Sequence, residues 1–433
     1  MSARAWLTVY RIAWILALPP VRLLAAVDRA LLGLLGRGFL PSNWHVTERL
    51  GYRASPADGV EPLWMHCASL GEAKGLWGLA SGLPPDFPIL FTAATREGAE
   101  FLAGQCDGGG PGRTRAAAIA PFDHPRLVRR FLSRERVRGL VLYEAEIWPH
   151  YISECRRSGL PVALAAGRIT PRIYPWYRRM GGAGARLLDG IDWIQAQSPI
   201  DAERFAALTS AELLPGFDFK AAHYLTPRSP SAAEPREGFA FISLRLAELR
   251  ILLPGLPALT ARDRVIIFPR RLSESAGFLA ALQPLGFAPH SREPDARLML
   301  VDSLGHVARL LNGCHSAFVG GSLDGGGCHN LWEPLAAGAA VHFGPHHHVQ
   351  ETMADALLRA GLGKVVSGPA DLETHERPDP GVPRANALFL AGLRAELEAG
   401  LQECRERIFA TFPGRQTPAP ALLRDGVGGG LTA

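Results

Sequence analysis

Residues 316–345 read SAFVGGSLDGGGCHNLWEPLAAGAAVHFGP, and this stretch decides the fold. The short apolar run 317–319 predicts a buried strand. Gly320, Gly321 and Ser322 follow, then Gly325, Gly326 and Gly327, then the polar pair His329 and Asn330. Residues 331–338 predict a helix with Glu333 and Pro334 in its first turn, where proline is tolerated. Residues 340–343 predict the next strand, stopped by Gly344 and Pro345. Strand, glycine loop, helix and strand make one βαβ unit. Glycines at that junction let a ligand approach the backbone, and a helix start offers N–H groups to an anion. In an open α/β sheet such a loop is where nucleotides sit. The alternative is a turn that simply uses many glycines, and the motif alone does not separate the two.

Outward from that stretch, 433 residues are enough for two domains with their own cores. Hydrophobic residues make up 47% and charged residues 20%, a globular balance that excludes a disordered chain. A net charge of +5, carried mostly by arginine, favours acidic ligands or an anionic surface without being a nucleic-acid signature. Six scattered cysteines form no CxxC pair, so neither a disulfide framework nor a zinc knuckle is expected.

Residues 5–35 are apolar with regular arginines. Trp6, Val9, Tyr10, Ala13, Leu16 and Ala17 recur at helical spacing, Pro19-Pro20 is expected to end that helix, and a second amphipathic stretch covers 21–35. Arginines interrupt the run, so the expectation is a helix lying in a membrane surface rather than one crossing it. A helix packed on the protein's own core is the alternative. From residue 62 the pattern alternates. Strands are expected at 63–67, 88–92, 116–120, 139–143, 160–165 and 193–197, and again at 239–243, 265–268, 298–301, 317–319 and 340–343, with helices between. That alternation implies parallel sheets in both halves. Residues 226–238, rich in proline, serine and alanine, are the linker candidate. The expected divisions are an N-terminal helical segment 1–40, a first Rossmann-like domain 41–222 and a second 239–410. His346, His347 and His348 are adjacent and cannot all face one ion, so they are assigned to a loop.

Ordered motifs now add up to a family. They are ERLG at 48–51, WMHCASLGE at 64–72, Phe91-Thr92 with Thr95, 121–132, EAEIWP at 144–149, 160–168, Pro269-Arg270, and the GGSL, HN, EP and FGP elements of 318–345. In order and spacing the chain resembles the bacterial Kdo (3-deoxy-D-manno-octulosonic acid) transferases. That resemblance implies a GT-B type α/β fold with two Rossmann-like domains facing across a cleft. It also implies transfer of Kdo from CMP-Kdo to a lipid A precursor with inversion, no metal, no nucleic-acid partner and no cofactor beyond the donor substrate. The place of work implied is the cytoplasmic face of the inner membrane.

Site residues follow from the same resemblance. Glu72 is the candidate general base, since inverting transfer needs a carboxylate to take the acceptor's proton. Ser69-x-x-Glu72 is equally a capping-box pattern, in which Glu72 merely satisfies a backbone N–H. Glu144 is implied to support the transition state; it and Glu146, two apart at a strand end, would point to one side if the strand continued. A salt bridge to an arginine is the alternative for Glu144. For the nucleotide the implied residues are Pro269 and Arg270, the Leu304-Gly305-His306 turn, Gly320, Gly321 and Ser322, and the Asn330-Leu331-Trp332-Glu333 element. Arg270 would neutralise the phosphate, Asn330 would cap the helix that faces it, and Glu333 would bond the ribose. Arg271 stands where the family has histidine, and His306 where an acidic residue is usual. The family's Ser-Thr-His-Glu loop is here Ser243-Leu244-Arg245-Leu246, and the lysine of its GxxKxD segment aligns with Phe219, with Lys220 one place on. Two further readings therefore stand beside the first: a GT-B transferase with another nucleotide-sugar donor, and an inactive lipid A-binding homologue.

Overall fold

The computed structural model describes residues 3–35, 45–50, 61–106, 115–214, 216–219, 236–303 and 305–413. Lys220, Leu304 and nearly all of the linker candidate lie outside them. The first domain holds β1 (Leu63–Cys67), β2 (Ile89–Ala93), β3 (Arg115–Ile119), β4 (Gly139–Tyr143), β5 (Val162–Gly167), β6 (Trp193–Ala196) and β7 (Glu212–Leu214). The second holds β8 (Gly238–Leu244), β9 (Arg264–Pro269), β10 (Ala288–Pro289), β11 (Leu298–Leu300), β12 (Cys314–Val319), β13 (Ala340–Phe343) and β14 (Gly363–Val365). All pairings are parallel, in the orders β3-β2-β1-β4-β5-β6-β7 and β10-β11-β9-β8-β12-β13-β14. Both faces of each sheet are covered by helices. That is why β1, β2, β4 and β5 are buried along their whole length and carry continuous rather than alternating apolar runs.

In each sheet the strand order reverses once, between β1 and β4 in the first and between β8 and β12 in the second. At such a reversal the flanking connections leave in opposite directions and open a crevice at the carboxyl ends of the strands. Glu72 follows β1 and Glu144 follows β4. In the second sheet Arg245 follows β8 and the glycine loop follows β12.

Two expectations change. The proline pair does not end the first helix, which runs unbroken over Ala3–Leu35 with Pro19 and Pro20 inside it. Interior proline costs a helix roughly 3 kcal/mol, but docking holds the helix on both sides of the pair. Tyr10 donates to Asp123 Oδ2 at 2.7 Å and stacks on His150, and Trp14 lies against Phe122. Leu18 and Ala25 are buried with Leu50 and Leu127, and Val21 packs beside them. The opposite face bares Val9, Ile12, Ile15, Leu16, Leu23, Leu24 and Val27. Within this helix Thr8–Asp28 is long and apolar enough to cross a bilayer, by length and composition alone.

The helix expected at 331–338 is only Trp332–Ala336. The helix Val382–Thr411 starts on the second domain, where Asn386 donates to Ala339 O at 2.9 Å, and ends on the first. There Arg405 donates to the carbonyls of Gly78 and Leu79, and Trp193 Nε1 donates to Thr411 Oγ1 at 2.9 Å. One rigid element thus joins the two sheets.

Candidate active site

At the first crevice, Ser69 caps the helix Leu70–Ala80 and Glu72 sits in its first turn. The Glu72 carboxylate accepts the Ala68 N–H at 2.6 Å and the Ser69 hydroxyl at 3.2 Å. The capping pattern is therefore real, and it also fixes where the carboxylate points. Across the crevice β4 ends at Tyr143, and Glu144 turns into the left-handed region at φ 62°. The extended chain does not persist, so Glu144 and Glu146 part company instead of sharing a side. Glu144 comes within 3.6 Å of Arg168 Nη1. Glu146 is bonded by Trp148 Nε1 at 2.7 Å and lies 3.3 Å from His66 Nε2. Burial works to raise the Glu146 pKa, but these bonds outweigh it and hold the group below the usual carboxylate range. His66 is in turn tied through Thr92 to Trp64, all three buried on β1 and β2.

The Tyr143 hydroxyl is fully buried with no hydrogen-bond partner among the described residues. Burial first, then the charges of Asp218, Glu144 and Glu72, keep it protonated far above its usual range. Asp218, Glu144 and Glu72 thus all act electrostatically on the Tyr143 hydroxyl. Alongside Glu144, two other non-glycine residues adopt positive φ near strand ends, Ala166 in β5 and Ser243 in β8. Such conformations cost of order 1–3 kcal/mol each and gather at functional sites.

At the second crevice the glycine loop is already occupied from within. The fully buried Glu248 accepts the N–H groups of Gly321 and Ser322 at 2.8 Å each and of Leu323 at 2.9 Å. Gly320 N donates to Ile242 O. The Ser322 hydroxyl donates to Val319 O and accepts from Gly344 N. These residues shape the loop, and the N–H groups of Gly321 and Ser322 are taken by an internal carboxylate. Leu331 is fully buried in the apolar core. Trp332 is mostly buried and edges the interdomain cavity. Asn330, just before the N-cap Leu331, accepts the Trp332 N–H on its Oδ1 at 3.0 Å, and Glu333 is the first-turn acid of that helix. Arg270 leaves β9 into solvent just past Pro269, its N–H bonded to Leu244 O. Gly305 takes φ 90°, and His306 stands against the His290 ring at 4.5 Å, two strands away from the crevice.

A cavity of about 320 Å³ runs between the domains, lined among others by Arg168, Arg204 and Asp218 from the first and Trp332, His348 and Glu351 from the second. Two contacts bridge it: Arg168 Nη2 donates to Val349 O at 2.7 Å, and Arg204 Nη2 reaches Glu351 at 3.5 Å. Val349 in turn packs on Gly327, at φ 77°, where a Cβ would overlap its side chain. Arg168 therefore touches both Glu144 and the segment that supports the glycine loop. Neither Arg168 nor Glu248 was marked by sequence reasoning, because their partners lie 181 and up to 75 residues away. Among the described residues no cluster of three or more His, Cys, Asp or Glu is placed to hold a metal ion.

Against known proteins, the profile described as 3-Deoxy-D-manno-octulosonic-acid transferase (kdotransferase) matches residues 44–214. A 3-deoxy-D-manno-octulosonic acid transferase of Bordetella pertussis is 31% identical over 321 residues, 69% of this chain and 74% of that one. The chain belongs to the Kdo transferase family. A second relative of this transferase, from Aquifex aeolicus, has the same name and is 24% identical, with 72% of this chain and 84% of that one covered. Among solved structures, Anabaena HepE in complex with UDP superposes with a TM-score of 0.56 over 81% of the transferase and 100% of that chain. LpCGTa in complex with UDP gives 0.51 over 82% and 99%. At 12% and 15% identity these two establish the fold, two Rossmann-like domains in the GT-B arrangement. The transferase is a glycosyltransferase of Kdo.

Proposed function

We propose that the transferase moves Kdo from CMP-Kdo to a hydroxyl of a lipid A precursor, inverting the anomeric centre, in lipopolysaccharide assembly. The observation that carries this reading is that Glu72 follows β1 and Glu144 follows β4, the two strands that flank the first strand-order reversal. The acceptor oxygen attacks the anomeric carbon and its proton passes to Glu72. The bond from that carbon to the phosphate oxygen breaks, and CMP departs with the electron pair. Glu144, steadied by Arg168, lies beside the charge that develops on the sugar. On the donor side Arg270 neutralises the leaving phosphate, while Asn330 and Glu333 hold the nucleotide. The cap around Glu72 supports its role as base: a carboxylate held by two hydrogen bonds loses little freedom on reaching the reactive geometry.

The first helix seats the protein on the inner membrane from its cytoplasmic face. Its inner stripe is docked from Tyr10 to Ala25 on a water-soluble domain, so it lies along the bilayer surface with its bared apolar face in lipid. A crossing helix would have to give up that docking.

The test is CMP release from CMP-Kdo with and without a tetraacylated lipid A precursor. Release that depends on the acceptor is expected. No acceptor-dependent release, or turnover only with a UDP- or GDP-linked sugar, contradicts the reading.

A further inference from the structure

We propose that Arg245 is a phosphate-binding residue for the nucleotide donor, and that it takes over the work the glycine-loop backbone would otherwise do. The inference rests on the nucleotide-sugar reading above and names a residue that neither the family motifs nor the sequence reading assigned to the donor. Arg245 is the first residue after β8, on the strand-order reversal of the second sheet, where a ligand of this fold lies. It stands where the family's loop carries histidine.

The backbone route is closed. Glu248 holds three successive N–H groups of the loop at 2.8–2.9 Å and also the Arg245 N–H at 3.1 Å. No second anion can use those donors. A fixed buried carboxylate behind the loop moreover repels a phosphate in front of it unless cations compensate. Arg245 supplies one. Its Nε and Nη1 are 3.1 and 3.2 Å from the two oxygens of Asp324, which fixes the plane of the guanidinium. Among the described residues its Nη2 has no partner, and the side chain is 44% exposed. A guanidinium so oriented presents a ready fork to a phosphate. Gly326 makes room for it, since a Cβ there would overlap Nη1. Arg270 follows β9, which pairs with β8, and both guanidiniums act electrostatically on the His329 ring. The His329 Nε2 is buried without a partner among the described residues. Burial first, then Arg270 and Arg245, hold that ring at a pKa of about 4, so it meets the phosphate as a neutral ring.

The experiment is calorimetric binding of CMP and of cytidine to the full-length protein and its Arg245→Ala and Arg245→Lys variants, with melting temperatures alongside. Arg245→Ala should weaken CMP about 10- to 100-fold, the range of a charged hydrogen bond, and cytidine less than about twofold. Arg245→Lys should recover part of the loss, with melting unchanged. An equal loss for both ligands, or no loss for CMP, overturns the assignment. If the parent protein ignores CMP but binds UDP, the cytidine donor is wrong. The same comparison with UDP and uridine then decides Arg245 by itself, again by whether the loss follows the phosphate.

Discussion

At the scale of single residues, the crevice is built from side chains whose partners are distant in sequence. Glu72 was legible because its cap is local: Ser69 and Glu72 are three apart, and the pattern names both. Glu144 was legible as a position and not as a direction. Its φ of 62° comes from the way β4 must turn beside β5, with its N–H on Ala165 O and its carbonyl taking the Arg168 N–H. Nothing in the EAEIWP sequence announces that turn. Arg168 has the clearest consequence, since it joins Glu144 to Val349 across the domains. Arg168→Met should lower kcat about 10- to 100-fold, the worth of a charged hydrogen bond in the transition state. Donor affinity should stay within about twofold. Steady-state kinetics paired with equilibrium CMP binding reads the split, and a parallel loss of affinity would contradict it.

At the scale of elements, the central strands could be read from composition, since each is a buried run flanked by turn residues. Three of the four edge strands could not. β7, β10 and β14 are two or three residues long and pair on one side only, too short to leave an apolar signature. The proline pair misled for the opposite reason: local propensity pointed to a break, and tertiary docking on both sides of it prevailed. The same helix yields a prediction. Leu16 and Leu23 are among its most exposed apolar side chains, and each is worth about 1.5–3 kcal/mol on burial. Replacing both with glutamate should reduce binding to anionic phospholipid vesicles by at least about 100-fold in co-sedimentation. Melting should stay unchanged because neither residue touches the core. Vesicle binding at the parent level would remove the helix from the membrane surface.

At the scale of the whole molecule, two sheets, each with one strand-order reversal, are joined by the helix Val382–Thr411. The alternation of strands and helices made that architecture readable, whereas the return of the last helix to the first domain depends on contacts no local pattern encodes. The second domain also carries an acid sensitivity. His342 is buried against Phe239 with both ring nitrogens unpartnered among the described residues, and burial first, then its charged neighbours, hold its pKa at about 3. His375 beside it is held at about 4 for the same leading reason. Both lie below the ordinary 6.5, so the unfolded chain binds more protons between about pH 4 and 6.5, and stability falls as pH drops through that window. For His342 the loss is about 2 kcal/mol at pH 5. Melting temperature should decline from pH 6.5 downward, and His342→Phe should flatten the decline; an identical slope in the variant would contradict this. The central claim is that Glu72, held by its cap at the first crevice, receives the acceptor's proton. Glu72→Gln tests it most directly, because the amide oxygen can still accept the Ala68 N–H while the base is gone. Single-turnover transfer from CMP-Kdo to the lipid A precursor should slow by about 10²- to 10⁴-fold with melting and CMP binding unchanged. Transfer at the parent rate would contradict the account.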